Sequence, residues 1–188
     1  MFRYFTMTAL LVWACMGQSL KAQTVMTLGA GFEFNIHKAQ VNAFEITWYF
    51  DKPASTSLLI AFDTNSDGQF KGQEKVDLIR MLQQFEAQDY LLELQQDSQP
   101  IESQSIKVIS VSVEQALVSV RFGVLLRAPV NLQTSDLALA FVDSKRVTIR
   151  QTDVMAKLTG RLAQNCRVKV LENQSIDSHN WHHIICTK

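Results

Sequence analysis

The sequence predicts a mainly β protein, an antiparallel sandwich or open barrel, interrupted by one helix–loop–helix unit. Three observations carry this. Short runs of alternating apolar and polar residues recur along the chain between turn signals, the pattern of many half-buried strands. Over residues 55–88, about a third of the way along, the spacing turns helical. At that switch stands Asp63-Thr64-Asn65-Ser66-Asp67-Gly68-Gln69-Phe70-Lys71-Gly72-Gln73-Glu74, which reads D-x-N-x-D-G-x5-E, the spacing of an EF-hand calcium loop.

The elements follow in order. Met1-Phe2-Arg3 is a short basic start, and Tyr4 to Met16 is an uncharged, largely apolar run too short to span a bilayer comfortably. A cut after Ala22 makes residues 1–22 a secretory signal peptide and places the protein outside the cytoplasm, in the periplasm. A lipid anchor at Cys15 is the alternative, although Trp13 fits a lipobox poorly. Residues 23–188 then form a single β-rich domain with 16 basic and 18 acidic residues, Arg3 and Lys21 having left with the signal. That balance lacks the basic excess of a nucleic-acid binder.

Phe32, Phe34 and Ile36 alternate with Glu33 and Asn35, and Phe44, Ile46, Trp48 and Phe50 share one face of a second strand. Asp51-Lys52-Pro53 breaks that strand, and Ser55 to Phe62 is the helix entering the loop. Past Glu74, Val76, Leu78, Ile79, Leu82 and Phe85 make one helical stripe. Period two resumes at Tyr90 to Leu94, with Ser98-Gln99-Pro100 as a turn, and continues through Ile106–Val113 and Ala116–Leu126. Leu137–Val142, Val147–Arg150 and Lys157–Leu162 are shorter runs. A C-terminal hairpin over about 166–187 pairs Arg167–Leu171 with Trp181–Cys186 across the polar turn Asn173 to Asn180.

The loop carries the clearest chemistry. Calcium takes six to eight oxygen ligands, so a short loop must offer one at every second residue while curling round the ion. Asp63, Asn65 and Asp67 stand at positions 1, 3 and 5, Gly68 permits the sharp turn, Gln69 offers its main-chain carbonyl, and Glu74 closes the site. Lys71, at position 9, cannot ligate. The same residue types also build metal-free turns. No second loop of this kind is present, so Phe70 at position 8 has no partner hand to pair with. An unpaired loop with three acidic ligands suits a Kd of about 10⁻⁴–10⁻³ M.

Elsewhere, Cys166 and Cys186 are expected to pair, because an exported compartment is oxidising. His179, His182 and His183 cluster near the last turn and are candidates for a second, zinc-type site. His182 and His183, however, would point to opposite faces of a strand. His37, at a strand end, reads as a surface residue. The nucleophile, zinc-protease and phosphate-loop motifs are absent, which argues against an enzyme.

The chain resembles the DUF1007 family. The residues that carry the likeness are Trp48-Tyr49-Phe50-Asp51, the D-T-N-x-D-G loop within Ala61–Gly68, the helix leading to Phe85–Tyr90, Phe141-Val142-Asp143 and Cys166. They span roughly residues 22–172. The resemblance implies a periplasmic component of a metal-uptake system, working beside a nickel/cobalt-type permease in the inner membrane. Its members typically begin with a His-Pro-His motif, which falls here on Gln23-Thr24-Val25, and a further family histidine falls on Ile46. The transition-metal ligands implied by the family are therefore missing while the calcium loop is complete. Three functions follow: an exported calcium-binding transport accessory, a structural or interaction module with a structural calcium ion, or, least favoured, a hydrolase with structural calcium.

Overall fold

The computed structural model describes residues 25–150, 154–171 and 179–187. The expected signal peptide, Cys15, Gln23-Thr24 and most of the turn before Asn180 lie outside the described residues.

The alternation seen in the sequence builds two packed sheets. In the first, β1 (Met26–Asn35) pairs antiparallel with β2 (Gln40–Phe50), β2 with β6 (Leu117–Asn131), and β6 with the edge strand β5 (Ser103–Glu114). The other side of β1 is shared by two short strands: β8 (Val147–Ile149) runs parallel to its first residues, and β9 (Met155–Thr159) parallel to its last. The second sheet has the order β10-β11-β7-β3-β4, antiparallel throughout, from β3 (Leu92–Gln96), β4 (Gln99–Ile101), β7 (Leu137–Phe141), β10 (Cys166–Leu171) and β11 (Trp181–Cys186). The fold is thus a two-sheet sandwich and no closed barrel, and its first sheet is mixed rather than antiparallel throughout.

The core lies between the sheets. Phe44, Ile46, Trp48 and Phe50 of β2 face inward, and Trp48 packs edge-on against Phe122 at 5.0 Å and Phe85 at 5.3 Å. Fully burying one such side chain stabilises the fold by about 1.5–3 kcal/mol. Gly160, at φ +92°, turns the chain after β9 where a Cβ would stand 2.7 Å from the Ile36 carbonyl, so no other residue fits.

Several boundaries differ from the sequence reading. The strand expected from Tyr90 starts at Leu92, because Asp89, Tyr90 and Leu91 all take positive φ. The β3–β4 turn is Asp97-Ser98, both at positive φ as a two-residue hairpin requires, so Gln99 and Pro100 belong to β4. Pro100 is tolerated because β4 is an edge strand. Val76 stands 48% exposed, leaving Leu78 and Leu82 as the apolar anchors of their helix. A β-bulge between Val108 and Ser110 resets the alternation inside β5.

The insert consists of α1 (Lys52–Phe62), the acidic loop, α2 (Gly72–Leu82) and a 3-10 stretch, Gln83–Leu91. Helix α1 starts earlier than expected: Asp51 caps it, its Oδ1 accepting from Ala54 N at 2.9 Å, and Pro53 sits in the first turn, where a missing N–H costs nothing. Ser55, fully buried, joins the insert to the sandwich. Its hydroxyl donates to the Phe50 carbonyl at 3.1 Å and accepts from Val118 N at 2.9 Å.

Candidate functional site

The acidic loop is shaped by its own side chains. Asp63 Oδ2 accepts from Gly68 N at 2.8 Å and its Oδ1 from Asp67 N at 3.1 Å. Asn65 Oδ1 accepts from the same Asp67 N at 2.8 Å, and Asp67 Oδ1 from Gln69 N at 2.9 Å. These side-chain-to-backbone turns curl the segment round its first three acidic and amide residues. Gly68, at φ +75°, supplies the left-handed step.

The remaining charges are held internally. Lys71 Nζ lies 2.8 Å from Asp67 Oδ2, an ammonium on the carboxylate that position 5 would offer a cation. That contact lowers the Asp67 pKa and raises that of Lys71. Glu74 Oε1 accepts from the Thr64 hydroxyl at 2.8 Å, Thr64 N at 2.9 Å and Asn65 N at 3.2 Å, while Oε2 accepts from Lys71 N at 3.3 Å. The Thr64 hydroxyl first, and then these amides, hold the Glu74 carboxyl below its usual range. Glu74 therefore caps α2 and staples the start of the loop to it. Thr64 is a residue the motif reading passed over, since position 2 of the calcium spacing carries no ligand. The reach of Lys71 back to Asp67 was likewise legible only as an i,i+4 charge pair.

The donor set suits a hard cation: all the side-chain donors are oxygens on a backbone already curled. The carboxylates, however, are spent on the loop itself. Among the described residues no three His, Cys, Asp or Glu side chains are gathered to hold a metal. Binding would require Lys71 to leave Asp67 and Glu74 to release Thr64 and Asn65.

Phe70 has found a partner of another kind. It is buried in the sandwich core, and the neighbouring Gln69 side chain donates to the Val113 carbonyl of β5 at 3.3 Å.

At the C-terminus, Cys166 and Cys186 are directly opposed across the β10–β11 hairpin and form the expected disulfide. The three histidines do not assemble. His182 points into the core, whereas His183 points the other way and meets the Asp136 carboxylate from the β6–β7 turn. His179 stands half-buried ahead of β11. The zinc-type grouping is thus corrected by strand alternation, which sends adjacent side chains to opposite faces. His37 is exposed, as expected. Ile46, where the family likeness calls for histidine, is completely buried and pairs with Phe32 and Phe122 on neighbouring strands.

No helix among the described residues is long and apolar enough to cross a membrane. The family model for DUF1007, a protein of unknown function, matches residues 27–181, which takes in the insert and the strands from β1 to β10 but only the first residue of β11. The chain belongs to the DUF1007 family. Among curated proteins, none matches it.

Proposed function

We propose that this DUF1007 protein is an exported, non-catalytic domain whose insert binds one calcium ion and which serves an inner-membrane metal permease as an accessory. The observation that supports the calcium reading is the curl of Asp63–Gln69, in which Asp63 and Asn65 oxygens both accept from Asp67 N, Asp63 also from Gly68 N and Asp67 from Gln69 N, with Glu74 at the closing position. Asp63, Asn65, Asp67, the Gln69 carbonyl and Glu74 would hold the ion, which adds a structural cross-link and no chemistry. Displacing Lys71 weakens binding, in keeping with a Kd of about 10⁻⁴–10⁻³ M, adequate outside the cytoplasm. The accessory role is supported by the likeness to metal-uptake components and by the export signal.

A second reading is favoured by a specific contact: Phe70 plugs the loop into the core, so the ion would lock insert to sandwich as a purely structural or interaction module. The missing family histidines point the same way.

Thermal melts of residues 23–188 in calcium, magnesium and chelator, with Glu74→Gln beside the parent chain, test the first claim. At ten times Kd, calcium should add about 1.4 kcal/mol to the parent and nothing to the variant. No calcium-specific gain at about 10 mM, well above the expected Kd, would sink the reading. Zinc and nickel uptake in cells carrying Glu74→Gln separates the two roles: a defect supports the accessory, normal uptake the structural module.

A further inference from the structure

The β10–β11 hairpin, which forms one end of the second sheet, is held by an unusual residue. Strand β11 contacts β7 through only three register pairs, His182–Leu139, His183–Ala138 and Ile184–Leu137, against six with β10. Only two of its residues are buried, Ile184 and His182. His182 is 4% exposed, its ring edge-on to Phe32 of β1 at 5.5 Å, and neither ring nitrogen has a hydrogen-bond partner. Buried polar groups are ordinarily paired. An imidazole left without partners between two sheets is tolerated only while neutral, because an unpaired buried charge is far costlier than an unpaired dipole.

We propose that the β10–β11 hairpin is an acid-released strap: a proton taken up by His182 drives it off β7 and off the first sheet, while the Cys166–Cys186 bridge keeps its two strands together. The surroundings of the imidazole set the sign. From β1 it meets Phe32, since Glu33 points to the other face and pairs there with Lys157. Its register partners are Leu139 on the wholly apolar β7 and Val170 on β10. Lys169 is the register partner of His183 and shares its outward face. Among the described residues no carboxylate stands ready to receive the protonated ring, and burial first, then His183, holds its pKa below the usual value.

The open hairpin therefore binds the proton more readily than the closed one. Closure is complete above the ordinary histidine range of about 6.5 and is lost progressively below it, until the closed form itself takes up the proton. On the far face His183 meets the Asp136 carboxylate, which holds the closed hairpin from outside. A pair near the surface is worth less than the exclusion of an unpaired cation from the core, so release prevails. The element freed is local, as hydrogen exchange commonly finds for weakly docked segments. What it uncovers is β7, five residues all buried, with one edge open.

The test is hydrogen–deuterium exchange of the oxidised full chain from about pH 7.5 to 5, spanning the ordinary histidine range and corrected for intrinsic rates. Peptides covering 137–141 and 181–186 should lose closed-over-open ratio about tenfold per pH unit below about 6.5, while β2 and β6 hold theirs. His182→Phe should abolish that loss. Unchanged protection in the parent, or the same loss in His182→Phe, overturns the proposal. Should that variant fail to fold, the parent decides alone: the His182 ring must titrate in step with exchange by NMR, and titration without loss of protection is equally fatal to the idea.

Discussion

The insert and the hairpin at the end of the second sheet dock on one core, yet they are attached by opposite means. The insert brings its polar groups already satisfied. Ser55 uses its hydroxyl in both directions, Glu74 takes four donors, and the apolar anchors Leu58, Phe70, Leu78, Leu82 and Phe85 enter the core together. The hairpin is cross-linked within itself and buries only one isoleucine and one unpartnered histidine in the core, with Cys166, Val168 and Cys186 partly buried against it. The difference teaches that a covalent bond along an element's own edge says little about how firmly the element is docked. Docking is decided by buried apolar area and by whether every buried polar atom has a partner.

The largest expected effect breaks the insert. Phe70→Ala removes its central plug and should cost about 3–5 kcal/mol by urea denaturation, with α1 and α2 losing exchange protection before the sheets do. A loss under about 0.5 kcal/mol, the size of a surface change, would mean that the loop is not docked through Phe70.

On the hairpin, replacing both Cys166 and Cys186 by serine opens a cross-link with a sequence separation of 20 residues and should lower stability by about 3 kcal/mol. If hairpin and sheets then unfold together in one transition, docking is stronger than the contacts with β7 suggest. A separate early loss of protection over 166–186 would sharpen the contrast with the insert.

The smallest effect is local. Asp51→Ala removes the cap of α1 and should cost about 1 kcal/mol, read as faster exchange in the first turn of α1 with the calcium response kept. Loss of the calcium response in that variant would show that loop and helix start are coupled, and that the insert is less self-contained than its hydrogen bonds imply.

Local chemistry was legible beforehand. The helices on either side of Asp63–Glu74, the turn at Gly68, the inward face of β2 and the exposed His37 all follow from spacing and residue type. The disulfide followed from the cysteine count and the compartment expected for the chain. The misjudged points share a cause. Val76 fits a helical stripe but lies at its edge, away from the sheet. Tyr90 and Leu91 fit the start of a strand by period two, but their positive φ, with that of Asp89, delays the strand to Leu92.

By itself, then, the sequence determined the class of fold, the order of most elements, the curl of the acidic loop and the cystine pair. Each of these depends on residues near one another in the chain, or on periodicity, which encodes the face a side chain takes. Only the tertiary structure decided that β8 and β9 lie parallel along one edge of β1, that Phe70 is buried in the common core, and that His182 is shut in without a partner. Periodicity sends a side chain inward without naming what it will meet there. In this fold the answer comes from strands as distant in sequence as β1 and β9, where Phe34 is the register partner of Leu158.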